Sequence, residues 1–149
     1  MKIIVDADAC PAKQIIVNCA KKNSLETIMI SDTAHIINDG YSKVITVDKG
    51  SDSADFKIVI TASKGDIVIT QDYGVASMAL GKGCFALRPD GLIYTDFNID
   101  SLLMSRHISK KVRNSGGKVS NPKKRTKEDD DNFEKSLLIL ISKAILQTS

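Results

Sequence analysis

The chain has 149 residues, of which 42% are hydrophobic and 26% are charged, and its formal net charge is +3. This length and composition are typical of one soluble globular domain with room for an appendage. No apolar run approaches the ~18 residues that cross a bilayer, so the sequence excludes an integral membrane protein.

The N-terminus and the cysteines predict a cytoplasmic protein. The first residues run directly into an apolar segment and show no cleavable signal pattern. Cys10, Cys19 and Cys84 are odd in number, lie far apart and form no CxxC pair. Without the spacing of a metal finger, reduced thiols are the simplest interpretation.

A β-branched apolar run predicts the first strand at residues 3–5. A strand that is buried on both faces belongs to a parallel sheet covered by helices. Pro11 is expected at the first position of a helix over 11–23, because its missing N–H costs little there. Cys10 or Asp8 is expected near the cap of that helix.

Strands and helices alternate along the remaining chain. Further strands are predicted at 25–30, 44–47, 67–70, 84–87 and 92–95. Further helices are predicted after the Ser/Asp-rich segment 49–55, at 73–80 and at 98–113. Residues 33–42 are poorly determined, with a short helix around Ile36 and Ile37 and a turn at Asp39-Gly40. The turn Arg88-Pro89-Asp90-Gly91 predicts an antiparallel edge hairpin on an otherwise parallel α/β sheet.

The composition changes near residue 115 and divides the chain into three parts. Residues 1–114 are predicted to form the α/β domain, residues 115–127 a basic flexible linker, and residues 128–149 an amphipathic helix. The apolar stripe of that helix must pack on the core or on a partner subunit, which would make a homodimer. Its members are Phe133, Leu137, Leu140, Ile141, Ala144 and Ile145.

Acidic residues follow the predicted strands or begin the predicted helices. They are Asp6, Asp8, Asp52, Asp55 and Asp72. In a doubly wound sheet these positions share one edge, where ligands bind. Like charges at close range raise each other's pKa unless a cation is supplied, and hard oxygen ligands favour Mg²⁺ or Mn²⁺. Such an ion activates water and stabilises the charge of phosphoryl transfer.

Helix capping is the alternative interpretation of the same acids. Negative charge near a helix N-terminus stabilises the helix by ~0.3–1 kcal/mol. Taken singly, Asp52, Asp55 or Asp72 is more often a cap than a ligand. Asp6 and Asp8 together exceed what capping requires, so the hypothesis rests on the whole set.

Four motifs together resemble the bacterial YaiI/YqxD family. They are Val5-Asp6-Ala7-Asp8-Ala9-Cys10-Pro11, Gly50-Ser51-Asp52-Ser53-Ala54-Asp55, Gly65-Asp66-Ile67-Val68-Ile69-Thr70-Gln71-Asp72 and Arg88-Pro89-Asp90-Gly91. The resemblance covers nearly the whole chain. It implies a PIN-like fold, a three-layer parallel sheet flanked by helices. It also implies a nuclease-type site built from Asp6, Asp8, Asp55 and Asp72, with Asp52 as a further member.

A basic run without acidic residues extends from Arg106 to Lys127. It includes Lys110, Lys111, Arg113, Lys118, Lys123, Lys124 and Arg125. Such a run neutralises phosphates and predicts salt-dependent binding of RNA or DNA. The alternative is a solvated helix face with a linker, balanced by the acids at 128–131.

Other chemistry-bearing residues have simpler interpretations. His35 and His107 are single histidines and are expected at the surface or in the core. Cys10 is a candidate nucleophile without an obvious base, so packing or capping is favoured. Ser31 and Thr70 end strands at the acidic edge, where their hydroxyls suit a phosphate or a water.

Three functions, two enzymatic and one of another class, are compatible with the sequence. The favoured one is a metal-dependent nuclease that acts on RNA. The second is a haloacid-dehalogenase-like phosphatase with Asp6 as nucleophile, but Gly65-Asp66 precedes its strand where that class places an acidic motif after one. The third is a nucleic-acid or protein binding module without turnover.

Overall fold

The computed structural model describes residues 1–32, 37–50, 53–114, 116 and 124–148. For Ala9, Lys110, 112–114 and Thr148 only the backbone is described. The strands of this part of the chain are β1 (Lys2–Asp6), β2 (Glu26–Asp32), β3 (Lys43–Val47), β4 (Ile67–Ile69), β5 (Phe85–Leu87) and β6 (Ile93–Tyr94). Its helices are α1 (Lys13–Lys22), α2 (Ser53–Thr61), α3 (Tyr73–Gly81), α4 (Ile99–Asn114) and α5 (Lys127–Thr148).

The strands form one sheet in the order β3-β2-β1-β4-β5-β6. The central strand β1 pairs in parallel with both β2 and β4, so that Ile4 lies between Ile28 and Val68. The pair β5–β6 is antiparallel and closes one edge. The predicted architecture, a three-layer α/β fold whose mostly parallel sheet has an antiparallel edge pair and is accompanied by a C-terminal helix, is confirmed.

Alternation along β1 divides the core into two layers, because successive strand residues point to opposite faces. Ile3 and Val5 lie in a cluster that includes residues of α1 and α5. Ile4 lies in the other cluster, which includes residues of α2, α3 and α4. All three side chains are fully buried, as a parallel strand covered on both faces requires.

Helix α5 packs on the core of its own chain. Its buried stripe joins the α1 side of the sheet through Phe133, Leu137, Leu140, Ile141 and Ala144. Ile145, expected in the same stripe, is 41% exposed. The helix is fixed at Gly91, where an added Cβ would come within 2.8 Å of the Asn132 carbonyl carbon. The Ser136 hydroxyl also donates a hydrogen bond to the Gly91 carbonyl at 2.6 Å.

The largest boundary differences from the sequence prediction are two residues, at the start of α1 and at the end of β2. Helix α1 begins at Lys13, and Pro11 lies in the preceding turn, because residues Ala7–Ala9 form a 3-10 turn and the Cys10 amide donates to the Ala7 carbonyl. The expected side-chain cap is absent as well: Ala12 occupies the N-cap of this described helix. Strand β2 extends through Asp32, because pairing with β3 continues to its last residue.

The loop between β2 and β3 lies partly outside the described residues. The prediction of a short helix at Ile36 falls there, and Ile37 lies in no regular element. The predicted turn at Asp39-Gly40 is present: the amides of Tyr41 and Ser42 both donate to Asp39 Oδ1, and Gly40 has a φ of +72°. Among the described helices none has both the length and the apolar character to cross a bilayer.

Candidate functional site

The crevice of the fold lies beyond the carboxyl ends of β1 and β4. The chain leaves β1 toward β2 on one side of the sheet, and β4 continues toward β5 on the other side. Such a switch point is where open α/β sheets bind their ligands. Asp6 ends β1, and Thr70 directly follows β4. The sequence therefore delivers polar side chains to the place where the fold leaves room for a ligand.

The Thr70 hydroxyl connects the two sides of this crevice. It donates a hydrogen bond to Asp6 Oδ2 at 3.1 Å and accepts one from the Asp72 amide at 3.0 Å. Thr70 is 1% exposed, so burial favours these contacts over contacts with water. The hydroxyl therefore orients Asp6 and also fixes the backbone that presents Asp72.

Asp6 lies in an acidic environment. Burial, opposed by the hydrogen bond from Thr70 and assisted by the charges of Asp55, Asp8 and Asp72, raises the pKa of Asp6 to about 6. Desolvation penalises the charged carboxylate, and like charges at short range add to the penalty. Asp6, Asp8, Asp55 and Asp72 are therefore close enough to act on one another electrostatically.

Asp8 and Asp72 are each oriented by a backbone amide. Asp8 Oδ2 accepts a hydrogen bond from the Asp32 amide at 2.9 Å, which ties the 3-10 turn to the end of β2. Asp72 is the N-cap of α3, and its Oδ1 accepts from the Val75 amide at 3.1 Å. The capping interpretation is thus correct for Asp72, and the same cap places its carboxylate at the acidic edge.

Asp55 belongs to the first turn of α2, on the side of the sheet that carries α3. Its charge acts on Asp6 more strongly than the charges of Asp8 and Asp72 do. Asp52, the fifth predicted acid, lies outside the described residues.

The donor chemistry of this edge fits a hard divalent cation. All the acids are carboxylates, which suit Mg²⁺ or Mn²⁺, and Mg²⁺ is commonly held by one or two carboxylates together with waters. In the described part of the chain, however, no group of three His, Cys, Asp or Glu side chains is arranged to hold a metal ion. The acids share an electrostatic environment without forming a ready-made ligand set.

Two arginines of the basic run have defined contacts, and one of them reaches the same edge. Arg106 on α4 places its Nη1 3.4 Å from Asp72 Oδ1, and its side chain is 56% exposed. Arg125 donates to the Pro89 carbonyl at 2.7 Å and to Asp130 Oδ1 at 2.8 Å. The beginning of the basic run therefore reaches the acidic edge from α4, whereas Arg125 contacts the turn after β5 and the first turn of α5.

The comparisons with known proteins are consistent with the motifs. A profile of the family described as "Uncharacterized BCR, YaiI/YqxD family" matches residues 4–143. The chain belongs to the YaiI/YqxD family. The predicted resemblance is therefore confirmed, and every aspartate of the acidic edge lies inside the matched region.

Relatives within the YaiI/YqxD family span almost the same length. The UPF0178 protein of Ruminiclostridium cellulolyticum is 57% identical over 141 residues, which cover 95% of this chain and 92% of that protein. The UPF0178 protein of Clostridium tetani is 50% identical over 144 residues, which cover 97% and 99%. Among solved structures, Rae1 (YacP) from Bacillus subtilis aligns with 80% of this chain and 87% of its own, with a TM-score of 0.45 and 18% identity.

Arg106 is the site residue that sequence reasoning missed. It appeared only as the beginning of the basic run, and nothing along the chain connects it with Asp72. The available signal is helical spacing: Ile99 and Leu102 or Leu103 face the core, and Arg106 follows at the next turn of the same stripe. From this position Arg106 contacts Asp72 while its side chain stays 56% exposed.

The remaining predicted nucleic-acid residues occupy several environments. Lys111 and Lys124 are exposed. Lys110 and Arg113 belong to α4, but their side chains are not among those described, and Lys118 and Lys123 lie outside the described residues.

The cysteines of this YaiI/YqxD protein are buried, and their thiols are free. Burial raises the pKa of the Cys10 thiol, with smaller opposing effects from the Ala12 amide, Lys13 and Arg125. A nucleophilic cysteine needs a lowered pKa. Cys10 is therefore a packing residue, as its sequence context favoured.

Of the hydroxyl and histidine candidates, only Thr70 is seen in contact with one of the acids among the described residues. Thr70 contacts Asp6, whereas Ser31 is fully buried and its hydroxyl makes no hydrogen bond with a described residue. His107 is exposed on α4, and His35 lies outside the described residues.

The position of Asp66 argues against the phosphatase alternative, which requires a third acidic residue near Asp6 and Asp8. Asp66 stands at the amino end of β4, where it accepts hydrogen bonds from the Lys2 side chain and amide and from the Ser63 amide. That end of the sheet is opposite to Asp6. An acid that lies there cannot join Asp6 and Asp8 in one reaction.

Proposed function

We propose that this YaiI/YqxD protein is a divalent-metal-dependent phosphodiesterase of nuclease type that acts on RNA. The observation that carries the proposal is the convergence of four aspartates at the switch point, where Asp55, Asp8 and Asp72 act electrostatically on Asp6. Such a concentration of negative charge in a partly buried crevice destabilises the protein unless a cation neutralises it. We infer that the protein keeps these four carboxylates close together because they bind a cation.

The ligands of the cation are proposed to be Asp6, Asp8, Asp55 and Asp72, with Asp52 as a further candidate. When bound, Mg²⁺ or Mn²⁺ supplies an activated water and stabilises the charge that develops on a phosphodiester. The chain itself contributes orientation: Thr70 holds Asp6, and the α3 N-terminus holds Asp72. These hydrogen bonds preorganise the carboxylates before any substrate arrives.

The substrate is proposed to be held by the basic residues on either side of the acidic edge. They are Arg106, Lys110, Lys111, Arg113, Lys118, Lys123, Lys124 and Arg125. The contact between Arg106 and Asp72 supports this assignment, because it places the beginning of the basic run at the acids. Cations around an acidic centre reduce the repulsion that an RNA backbone would otherwise meet there.

The deciding experiment measures Mn²⁺ and Mg²⁺ binding by calorimetry and cleavage of a labelled single-stranded RNA by gel. Asp6→Asn combined with Asp72→Asn should abolish both, because two carboxylate ligands become neutral amides. Asp131→Asn, which changes an exposed aspartate on α5, is the matched control and should retain both. Absence of metal binding by the folded wild-type protein at millimolar concentrations would refute the proposal.

A binding module without turnover is the second candidate. It is favoured by one observation: the described residues provide no group of three ligands arranged for a metal ion. In that case the wild-type protein binds RNA in the presence of EDTA, and added Mn²⁺ neither tightens binding nor produces cleavage.

A further inference from the structure

A cleft of about 290 Å³ opens beside the acidic edge. Its walls come from separate segments of the chain and include Pro11, Gln71, Tyr73, Arg88, Pro89 and Arg125. Gln71 directly precedes Asp72, so the cleft and the acidic edge share the segment that follows β4. A group bound in the cleft is therefore adjacent to a group bound at the aspartates.

Arg88 is held rigidly in the wall of this cleft. Its Nε and Nη2 donate to the two carboxylate oxygens of Asp90 at 2.8 and 2.7 Å, and its Nη1 donates to the Tyr73 hydroxyl at 3.0 Å. A guanidinium carries five N–H donors. Within the described residues these contacts leave one N–H on each terminal nitrogen that can donate to a ligand oxygen.

Arg125 supplies a second guanidinium to the lining of the cleft. Its Nη1 donates to the Pro89 carbonyl and its Nε donates to Asp130 Oδ1. Its Nη2 lies 2.8 Å from the same Asp130 oxygen, yet it is buried and makes no hydrogen bond with any described residue. Asp130 therefore holds this nitrogen electrostatically, and the fixed guanidinium of Arg125 lines the cleft.

The cleft is held open by its own framework. The turn that carries Arg88 is clamped against α5, because Gly91 packs on the Asn132 backbone and its carbonyl accepts from the Ser136 hydroxyl. The Tyr73 ring packs edge-on against Tyr94, with ring centroids 6.0 Å apart. Preformed walls of this kind reduce the entropy lost when a ligand binds.

The charges of the cleft argue for a particular kind of anion. Asp90 and Asp130 compensate the two arginines, and Asp129 accepts hydrogen bonds from Thr126 at the rim. The cleft therefore offers directed N–H donors without a large positive potential. A free inorganic anion gains little binding free energy from such a site. A phosphate whose nucleoside also packs on the tyrosine and proline surfaces gains from both.

We propose that this cleft binds one nucleotide of a single-stranded RNA, the one next to the phosphodiester held at the aspartates. Its phosphate contacts Arg88 and Arg125, and its ribose or base packs against Tyr73 and Pro11. The proposal deepens the proposed nuclease function and rests on it for the identity of the polymer. Nucleotide binding by the cleft does not itself require a metal.

The test is an NMR titration of the full chain in EDTA with AMP, adenosine and inorganic phosphate. We expect AMP to shift the Nε–H resonances of Arg88 and Arg125, and to bind about tenfold more tightly than either adenosine or phosphate. A short oligouridylate should displace AMP. Equal binding of adenosine and AMP, or shifts that map away from the cleft, would overturn the assignment.

Arginine-to-lysine variants preserve the positive charge. They therefore distinguish directed hydrogen bonds in the cleft from non-specific electrostatic attraction. Arg125→Lys and Arg88→Lys lose the planar fork, and each should weaken AMP binding about tenfold. Lys135→Gln removes an exposed cation on α5 and should change AMP binding less than about twofold. Thermal unfolding identifies a variant that fails to fold. In that case, AMP binding by the other arginine variant tests the assignment. If Lys135→Gln weakens AMP binding as much as Arg88→Lys and Arg125→Lys do, the assignment of the cleft as the nucleotide site is refuted.

The nucleotide-binding test and the nuclease test can fail separately. Binding in EDTA reports the cleft alone, whereas Mn²⁺ binding and cleavage report the aspartates. If AMP binds in the cleft and oligouridylate does not displace it, the cleft accepts a mononucleotide and the RNA assignment is wrong.

Discussion

Two aspartates at opposite ends of the central strand pair show how this chain uses the same side chain in two ways. Asp66 precedes β4 at the amino end of the sheet, is 2% exposed, and binds Lys2 Nζ at 2.6 Å and the Ser63 amide at 2.8 Å. Asp6 ends β1 at the carboxyl end, where Thr70 donates to it and three other carboxylates act against it.

The difference lies in how the buried charge is compensated. Asp66 has a cation and amide donors from its own chain, so its charge serves the fold. Asp6 is surrounded mainly by like charge, so its charge is a cost to the fold. Like charges gathered at the crevice and a compensated charge at the opposite end are consistent with the proposed ligand site on a stable scaffold.

Asp66→Ala should have the largest effect on stability. Removing one partner of a buried ion pair leaves Lys2 and the Ser63 amide without their acceptor, which is expected to cost about 3–5 kcal/mol. Urea unfolding compares this variant with Asp131→Ala, an exposed control that should change stability by less than about 0.5 kcal/mol. A small effect of Asp66→Ala would mean that this end of the sheet contributes little to the fold.

Asp6→Asn should increase the free energy of unfolding, whereas Asp66→Ala should decrease it. The pKa of Asp6 is about 6 in the folded chain and 3.8 as its ordinary value, so the folded chain binds the proton more tightly. Stability contributed by this group is present below pH 3.8 and is lost as the pH rises to about 6. The neutral asparagine avoids this loss and should stabilise the protein by about 1–2 kcal/mol at pH 8.

The check is urea unfolding of both proteins between pH 4 and pH 8. The stability difference should close as the pH falls, because the wild-type carboxyl becomes neutral as well. A difference that stays constant across this range would show that Asp6 does not titrate there.

Thr70→Val should have a smaller effect and should change the pKa of Asp6. Loss of the hydroxyl removes the hydrogen bond that opposes desolvation, so the pKa of Asp6 should rise further above its ordinary value. The Asp72 amide also loses its acceptor, at a cost of about 1 kcal/mol. Carboxyl carbon NMR titration measures the pKa, with Thr70→Ser as the variant that should restore it.

Arg106→Gln should have the smallest effect on stability, less than about 0.5 kcal/mol, because its ion pair with Asp72 is exposed. RNA binding should respond instead: the dependence of log affinity on log salt should fall by about 0.7 when one phosphate contact is lost. Lys143→Gln, an exposed lysine on α5, is the control. An unchanged salt dependence would remove Arg106 from the RNA-binding surface.

The position of the acidic edge was predictable because strand ends are local features. The run at residues 3–5 predicts a buried parallel strand, and Asp6 follows it directly. The same argument applies to Asp72 after β4 and to Asp55 at the start of α2. Parallel strands end at one edge of a sheet, so the order of elements alone brings these residues together.

The helix boundaries were less predictable where tertiary contacts compete with local preference. Pro11 suits the first turn of a helix, yet the 3-10 turn before it delays α1 to Lys13. That turn is held by Asp8, whose partner is the Asp32 amide at the end of another strand. A contact between residues so far apart in sequence leaves no periodic signal along the chain.

The amino-acid sequence by itself determined the strand and helix order, the parallel sheet with its edge hairpin, and the arrival of acids at one edge. Hydrophobic period and turn chemistry are local properties, and they suffice for these features. Only the tertiary structure decided that Arg106 meets Asp72, that α5 clamps Gly91, and that Arg88 and Arg125 face one cleft. Those features depend on distances between separate segments, which are set when the two faces of the sheet are packed.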